Sequence, residues 1–543
     1  MFLKVVKSKG NEYLRIVESY RDGGKVRHRT VLNLGRLDQI EGNPGFQRLG
    51  ERLIEMSKGS FVNLKDASEG ELLNYGYTVY ENIWSDFDLP KSLELLVCDR
   101  NLEFNLSDAC LLMVIQHLLE PKSKLATFKG QSRYLNLSHV GYNHLYRALD
   151  VIAEKKETLE QALFERERSL FNMQVDVVFY DVTTFYFESV KADSLKDFGF
   201  SKDGKFKEVQ VVLGLITDCE GRPVGYELFP GDTFDGKTLL KALENMERLF
   251  GVRRIVIVAD KGINSKLNLK LIRDKGYDYI VAARLKSMNS SVIRSALDVE
   301  GYTFLNEGHE DEFRYKVLPY MNVVKDEAGG KHQLDERLIV TFSKRRAEKD
   351  KADRMRLLQK AEELLKYPYL IGSSNKRGGK KYIKDAGAKP TWTLDEEAVT
   401  RDALFDGYYA IQTSTRDMTA MEVMDVYHKL WKIEESFRIM KSALEVRPIF
   451  HWTERRIKGH FLICFLAFLL ERTLENKLKC LGLKPSPAQI KEALNSMNFT
   501  KVSVKGEEFL IKVKGTPLSQ KILQVMKIRS PKNVTPVKDV SLV

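Results

Sequence analysis

The stretch VDVVFYDVTTFYFES, Val175 to Ser189, opens as a nearly continuous apolar run and delivers Asp181 near its end. A run this rich in β-branched and aromatic residues predicts a strand covered on both faces. Beyond the Gly- and Lys-containing loop GFSKDGKFK, the segments Glu208 to Thr217 (EVQVVLGLIT) and Pro223 to Phe229 read as two more strands. A tight turn over Asp218 to Arg222 joins them. Lys237 to Phe250 has helical spacing, and Arg254 to Val258 (RIVIV) is a short buried strand that ends in Ala259-Asp260-Lys261-Gly262. Asn264 to Asp274 reads as a helix and Tyr277 to Ala283 as a strand. Three strands, helix, strand, helix, strand is the order of an RNase H-like sheet, although other α/β layouts share it.

Working outward, residues 1–40 form a small basic β unit, with strands over Glu12 to Tyr20 and Lys25 to Leu34 around the turn signal Asp22-Gly23-Gly24. Residues 41–170 are helical, either a DNA-binding domain or a packing domain. The first part of the α/β core spans 171–285. Residues 286–415 read as an insertion domain, with a charged helix from Lys344 to Leu365 and a basic, glycine-rich stretch from Ser373 to Lys389. The second part of the core, 416–482, contains a strongly apolar helix from Lys458 to Leu478, and 483–543 is a basic tail region. The expected fold class is therefore α/β: a mixed sheet flanked by helices, interrupted by an insertion, behind an N-terminal β plus helical region.

Composition narrows the function. Lys plus Arg number 87 against 75 Asp plus Glu, a net charge of +12, which favours a polyanionic partner such as nucleic acid. The five cysteines show neither CxxC pairing nor zinc spacing and read as reduced thiols. The apolar run at the N-terminus is too short for a secretory signal, and the run from Phe461 to Leu470 is half a membrane span, so no membrane segment is expected.

The stretch YHKLWKIEESFRIMK, Tyr427 to Lys441, read as one helix, sorts into two faces. Val426, Ile433, Phe437, Met440 and Leu444 make an apolar stripe. Tyr427, Leu430, Glu434, Arg438 and Lys441 gather beside it. A solvated charged face is the plain reading of this helix alone. Asp181 and Asp260, however, each sit where an apolar strand meets a loop, and strand ends are where open α/β sheets build ligand sites. Three carboxylates brought together repel one another unless a hard cation intervenes. Mg²⁺ takes oxygen ligands, and two such ions suit in-line phosphoryl displacement. Lys261, Arg438 and Lys441 are the candidate phosphate cations, and Tyr427 is a hydroxyl donor.

These residues resemble the DDE transposases of bacterial insertion sequences, within the insertion-sequence-four superfamily and its IS-sixteen-thirty-four-like branch. Tyr180-Asp181-Val182-Thr183-Thr184 is similar to the family's Asp-x-Thr motif, and Ala259-Asp260-Lys261-Gly262 to its second acidic motif. The Tyr, Arg, Glu, Lys signature falls on Tyr427, Leu430, Glu434 and Lys441, so its Arg is Leu430 here, leaving Lys429 or Lys432 as substitutes. The resemblance implies that Asp181, Asp260 and Glu434 bind two Mg²⁺ or Mn²⁺ ions. It implies hydrolysis at the terminal inverted repeats of double-stranded DNA, then joining of the freed 3′-hydroxyls to target DNA. It further implies a homodimer in the synaptic complex and a bacterial cytoplasmic, nucleoid-associated location. Trp392 is the nearest candidate for holding a flipped base, a core position being its other reading. The competing functions are a catalytically inactive transposase-derived DNA-binding protein and a metal-dependent endonuclease that cuts without joining.

Overall fold

A computed structural model describes all residues except 9, 23–24, 57–69, 172–176, 200–206, 234, 251–254, 261, 306–311, 326–328, 372–377, 386–391, 447–448, 505–506 and 540–543. The chain divides into two compact units. The first comprises Met1–Glu71 with Thr500–Ile511 and Asn533–Val540. It opens with β1 (Phe2–Ser8), β2 (Asn11–Asp22) and β3 (Lys25–Arg36), followed by helix α1 (Pro44–Met56). These three strands form an antiparallel sheet that pairs with nothing else among the described residues. Local patterning announces β2 and β3 but not β1. The glycines of the expected turn between them lie outside the described residues.

The second unit holds helices α2 (Thr78–Asp86), α3 (Leu106–Leu119), α4 (Tyr142–Glu154) and α5 (Lys156–Phe171). It continues with β4 (Val177–Tyr186), β5 (Gln210–Asp218), β6 (Pro223–Pro230), α6 (Asp235–Phe250), β7 (Val256–Ala259), α7 (Lys266–Asp274) and β8 (Asp278–Ala282). β4, β5 and β6 run antiparallel in turn, while β4, β7 and β8 are mutually parallel. That is the RNase H-like order expected from sequence.

Beyond it come β9 (Thr303–Phe304), β10 (Phe313–Lys325), β11 (Lys331–Ser343), helix α8 (Lys344–Leu365), the ribbon strands β12 (Ile383–Asp385) and β13 (Trp392–Leu394), and β14 (Tyr408–Thr413). β9, β10 and β11 do not form a separate body. They join the main sheet through β14, in the order β9-β10-β11-β14-β8-β7-β4-β5-β6. Alternating exposure along β10 shows why the sequence reads as an insertion: it is an outer strand with one face in solvent.

Side-chain alternation gives the sheet two faces. Val178, Tyr180 and Val182 of β4 join Ile257, Ala259, Tyr279 and Val281 in a core closed by Leu239, Leu243 and Met246 of α6 and Leu269 and Ile272 of α7. The odd-numbered residues of β4, Asp181 among them, turn to the opposite face. There lies α11 (Glu454–Cys480), introduced after α9 (Ala420–His428) and α10 (Trp431–Arg438). Phe461 of α11 meets Phe185 of β4 edge-on, ring centroids 5.4 Å apart, and Phe465 meets Tyr226 of β6 at 5.1 Å. α11 is buried almost without a break from Phe461 to Leu474 because α2, α3 and α4 cover the side away from the sheet. Among the described residues no helix is long and apolar enough to cross a membrane.

Candidate active site

Strand register places the two aspartates. Phe179 pairs with Val258 between parallel strands β4 and β7, so Asp181 and Asp260, each two residues further on, stand at matching positions. Asp260 lies just past the end of β7, whereas Asp181 is in the middle of β4, which runs on to Tyr186 beyond the strand end expected from sequence. Both share the face on which α10 packs against β4. The Asp181 carboxylate accepts the Val182 N–H at 2.7 Å and is half-buried. Asp260 is exposed where β7 ends, and its carbonyl accepts the Ile263 N–H at 3.2 Å.

The segment from Tyr427 to Lys441 is not the single helix that its periodicity predicts. α9 starts at a capping box of Thr419 and Glu422 and stops at His428. Leu430, Lys432 and Ile433 then donate to Tyr427, Lys429 and Leu430, three residues back. These tight turns break the four-residue ladder before α10 begins. A π-turn over Ile439–Ala443 ends the segment. The apolar stripe nevertheless holds: Ile433, Phe437, Met440 and Leu444 are buried. Leu430 joins them at 7% exposure, so the position aligned with the signature Arg lies in the core and not on the polar face.

Tyr427 links the parts. Its hydroxyl lies 2.6 Å from that of Tyr409 on β14. Burial drives the Tyr427 pKa far above the usual phenol range, and Tyr409 and the carboxylates of Asp260 and Glu434 push it the same way. Both acids therefore lie close enough to Tyr427 for their charges to be felt. Tyr409 is raised too, mainly by burial, with Asp260 adding to it. From sequence Tyr409 is only a strand residue, since its pairing with Tyr427 depends on β14 adding to the sheet. The Arg346 guanidinium lies over the Tyr409 ring at 4.7 Å, bringing a cation from the start of α8 to this edge of the site.

The cations named from sequence have different fates. Lys441 sits 5.7 Å from the centre of the Phe185 ring, on the Asp181 face of β4. Arg438 is exposed at the end of α10. Lys432 donates to the Cys219 carbonyl at 2.7 Å and to Glu220 at 3.3 Å, so it is committed to the β5–β6 turn. Lys261 lies outside the described residues. Trp392 is half-buried in the β12–β13 ribbon, paired with Asp385, and that ribbon is a sheet of its own, separate from the one that carries the aspartates.

The donor set suits a hard divalent cation. Among the described residues Asp260 and Glu434 make no ion pair with a basic side chain, whereas the neighbouring Glu435 is bound by Arg472 at 3.1 Å. Asp260 and Glu434, both acting on the buried Tyr427 phenol, offer carboxylate oxygens of the kind a hard divalent cation takes.

Comparison with known proteins gives the family. The transposase DDE domain model matches residues 174–470, more than half of the chain, and the chain belongs to the DDE transposases. Residues 3–63 match the N-terminal domain of the IS1634 family transposases, which is the branch within that class. No curated protein matches. Among solved structures, the chain is similar to the piggyBac transposase synaptic complex with hairpin DNA at 8% identity and a TM-score of 0.34, over 78% of this chain and 80% of that one. It is similar to the Mos1 transposase paired-end complex with left transposon end at 11% identity and a TM-score of 0.15, over 33% of this chain and 60% of that one. The family assignment rests on the sequence matches.

Proposed function

We propose that this chain binds the ends of an insertion sequence in double-stranded DNA, cleaves them by hydrolysis and joins the freed 3′-hydroxyls to target DNA. The observation that carries the reading is the matched position of Asp181 and Asp260 on adjoining parallel strands, supported by the charges of Asp260 and Glu434 both acting on Tyr427. Asp181, Asp260 and Glu434 would hold Mg²⁺ or Mn²⁺, as two ions, which when bound supply activation of the attacking oxygen and stabilisation of the leaving one.

This chain's own side chains orient the DNA. Tyr427 stays protonated, and its hydroxyl shares a hydrogen bond with that of Tyr409. Lys441 and Arg438 offer cations to the phosphates near the scissile bond. In the first step a water oxygen forms the new P–O bond and the 3′-oxygen leaves with its proton restored. In the second, that 3′-hydroxyl attacks a target phosphodiester and displaces a second 3′-oxygen, so one P–O bond forms for each one broken. Two ends processed together call for two copies of the chain, hence a homodimer in the synaptic complex, acting in the bacterial cytoplasm at the nucleoid.

The test incubates purified protein with Mg²⁺, DNA carrying its own element's ends, and a supercoiled target. Cleaved ends together with joined product are expected. Cleavage with no joined product would leave an endonuclease, and binding with neither would leave a DNA-binding derivative.

A further inference from the structure

Away from the acidic site, α3 and α11 bring together His117, His460 and Cys464, all fully buried. One ligand atom from each lies within 4.8 Å of the other two. His460 and Cys464 are four residues apart on α11 and so share a helix face, with Sγ 3.6 Å from His460 Nε2.

Proton bookkeeping leaves the cluster incomplete. His117 Nδ1 meets the Leu444 carbonyl at 3.3 Å, and His460 Nε2 meets the Val446 carbonyl at 3.3 Å. Each ring can satisfy a carbonyl only by donating N–H to it, which leaves a lone pair on its other nitrogen. Those other atoms, His117 Nε2 and His460 Nδ1, are buried with no hydrogen-bond partner. A carbonyl that fixes one imidazole nitrogen and frees the other is the usual support of a metal-bound histidine. A cavity of about 280 Å³ adjoins, lined by His117, His460 and also His451, whose ring lies 5.1 Å from that of His460. It offers an entry path and a fourth ligand, a third nitrogen.

We propose that His117, His460 and Cys464, completed by His451 or water, form a structural site for a thiophilic divalent cation, Zn²⁺. Nitrogen and thiolate ligands select zinc over the Mg²⁺ expected at the carboxylates. Lys124, buried at the same cavity, opposes added positive charge. The Cys464 thiolate offsets one of the two charges that the ion brings. The site would fasten α3 and α11 to the segment Leu444–Val446, which directly follows the π-turn bearing Lys441. In that segment Glu445 is held at φ 45°, a left-handed conformation unusual for a side chain other than glycine. Zinc would thus hold in place the C-terminal end of the element that carries Glu434.

The test uses the full-length protein, stripped with chelator and re-equilibrated with Zn²⁺ in excess Mg²⁺. One zinc per chain by elemental analysis is expected. Replacement by Co²⁺ should give a thiolate-to-cobalt charge-transfer band, which ions at the carboxylates do not produce. Cys464→Ser should abolish that band, His117→Ala should weaken zinc binding at least tenfold, and Asp181→Asn should retain the zinc. No zinc above background, or no charge-transfer band in the unmodified protein, would overturn the proposal, leaving a cavity filled with water. So would loss of the zinc in Asp181→Asn, since the ion would then sit at the carboxylates. The wild-type measurements decide the matter even where a variant fails to fold.

Discussion

Glu434 and Glu435 are neighbours in sequence with opposite surroundings. Glu435 accepts from Arg472, which is nearly buried and also holds Glu475 at 2.7 Å. Glu434 is exposed beside Tyr427 and makes no ion pair among the described residues. If Glu434 is the third metal ligand, Glu434→Gln should lower end cleavage by about a thousandfold or more, the scale of losing one preorganised electrostatic group at a reaction centre. End binding should persist in a gel-shift measurement. Glu435→Gln should still cleave, but unfold with a loss of about 1 kcal/mol, since a charge-assisted bond becomes a neutral one that is partly open to solvent. Reversed phenotypes would put the ligand one residue further along. Motif spacing alone favours Glu434. What sets Glu435 apart, a guanidinium from a helix almost forty residues away, cannot be read locally.

Among the elements, α11 is the one that ties the sheet to the helices behind it, and it carries an ionisable group in its buried stretch. Burial, with the neighbouring Glu475 carboxylate, pushes the Glu471 pKa up to about 8, against an ordinary 4.5, while the Tyr80 hydroxyl donates to it. A carboxyl whose folded pKa is raised holds its proton in the folded chain after the unfolded chain has lost it. Its contribution to stability is therefore complete below about pH 4.5 and is lost as pH rises through about 8. Thermal midpoints should fall across that window. Glu471→Gln keeps an acceptor for Tyr80 and cannot ionise, so it should flatten the profile and raise the midpoint at pH 8 by a few degrees. An unchanged slope in that variant would assign the effect to other groups. The same helix is legible in the sequence as a long apolar run. The break between α9 and α10 is not, because an amphipathic pattern survives a few three-residue turns while the backbone path does not.

For the whole molecule, the excess of 12 positive charges and the exposed basic sheet β1–β3 bear on DNA affinity. Since those strands pair only with one another among the described residues, removing residues 1–40 deletes a self-contained sheet. If that sheet neutralises phosphates, the deletion should weaken end-DNA binding and make the dependence of log K on log salt less steep, by about 0.9 for each phosphate left without its cation. Circular dichroism of the shortened chain should show the rest folded. An unchanged salt slope would remove the sheet from the DNA interface. By itself the sequence determined the strand and helix order of the RNase H-like core, the end of β7 at Asp260, the charged helix α8 and the family, because runs of apolar residues, turn signals and motif spacing are local properties. That β4 runs on past Asp181 depends on its pairing with β5. Tertiary structure decided what depends on long-range register and burial. It extended the sheet through β14, placed Tyr409 against Tyr427, buried Leu430 where the signature has an Arg, and neutralised Glu435 but not Glu434. It also set His117 beside His460 and Cys464, a grouping that the cysteine spacing did not announce because its ligands come from helices far apart in the chain.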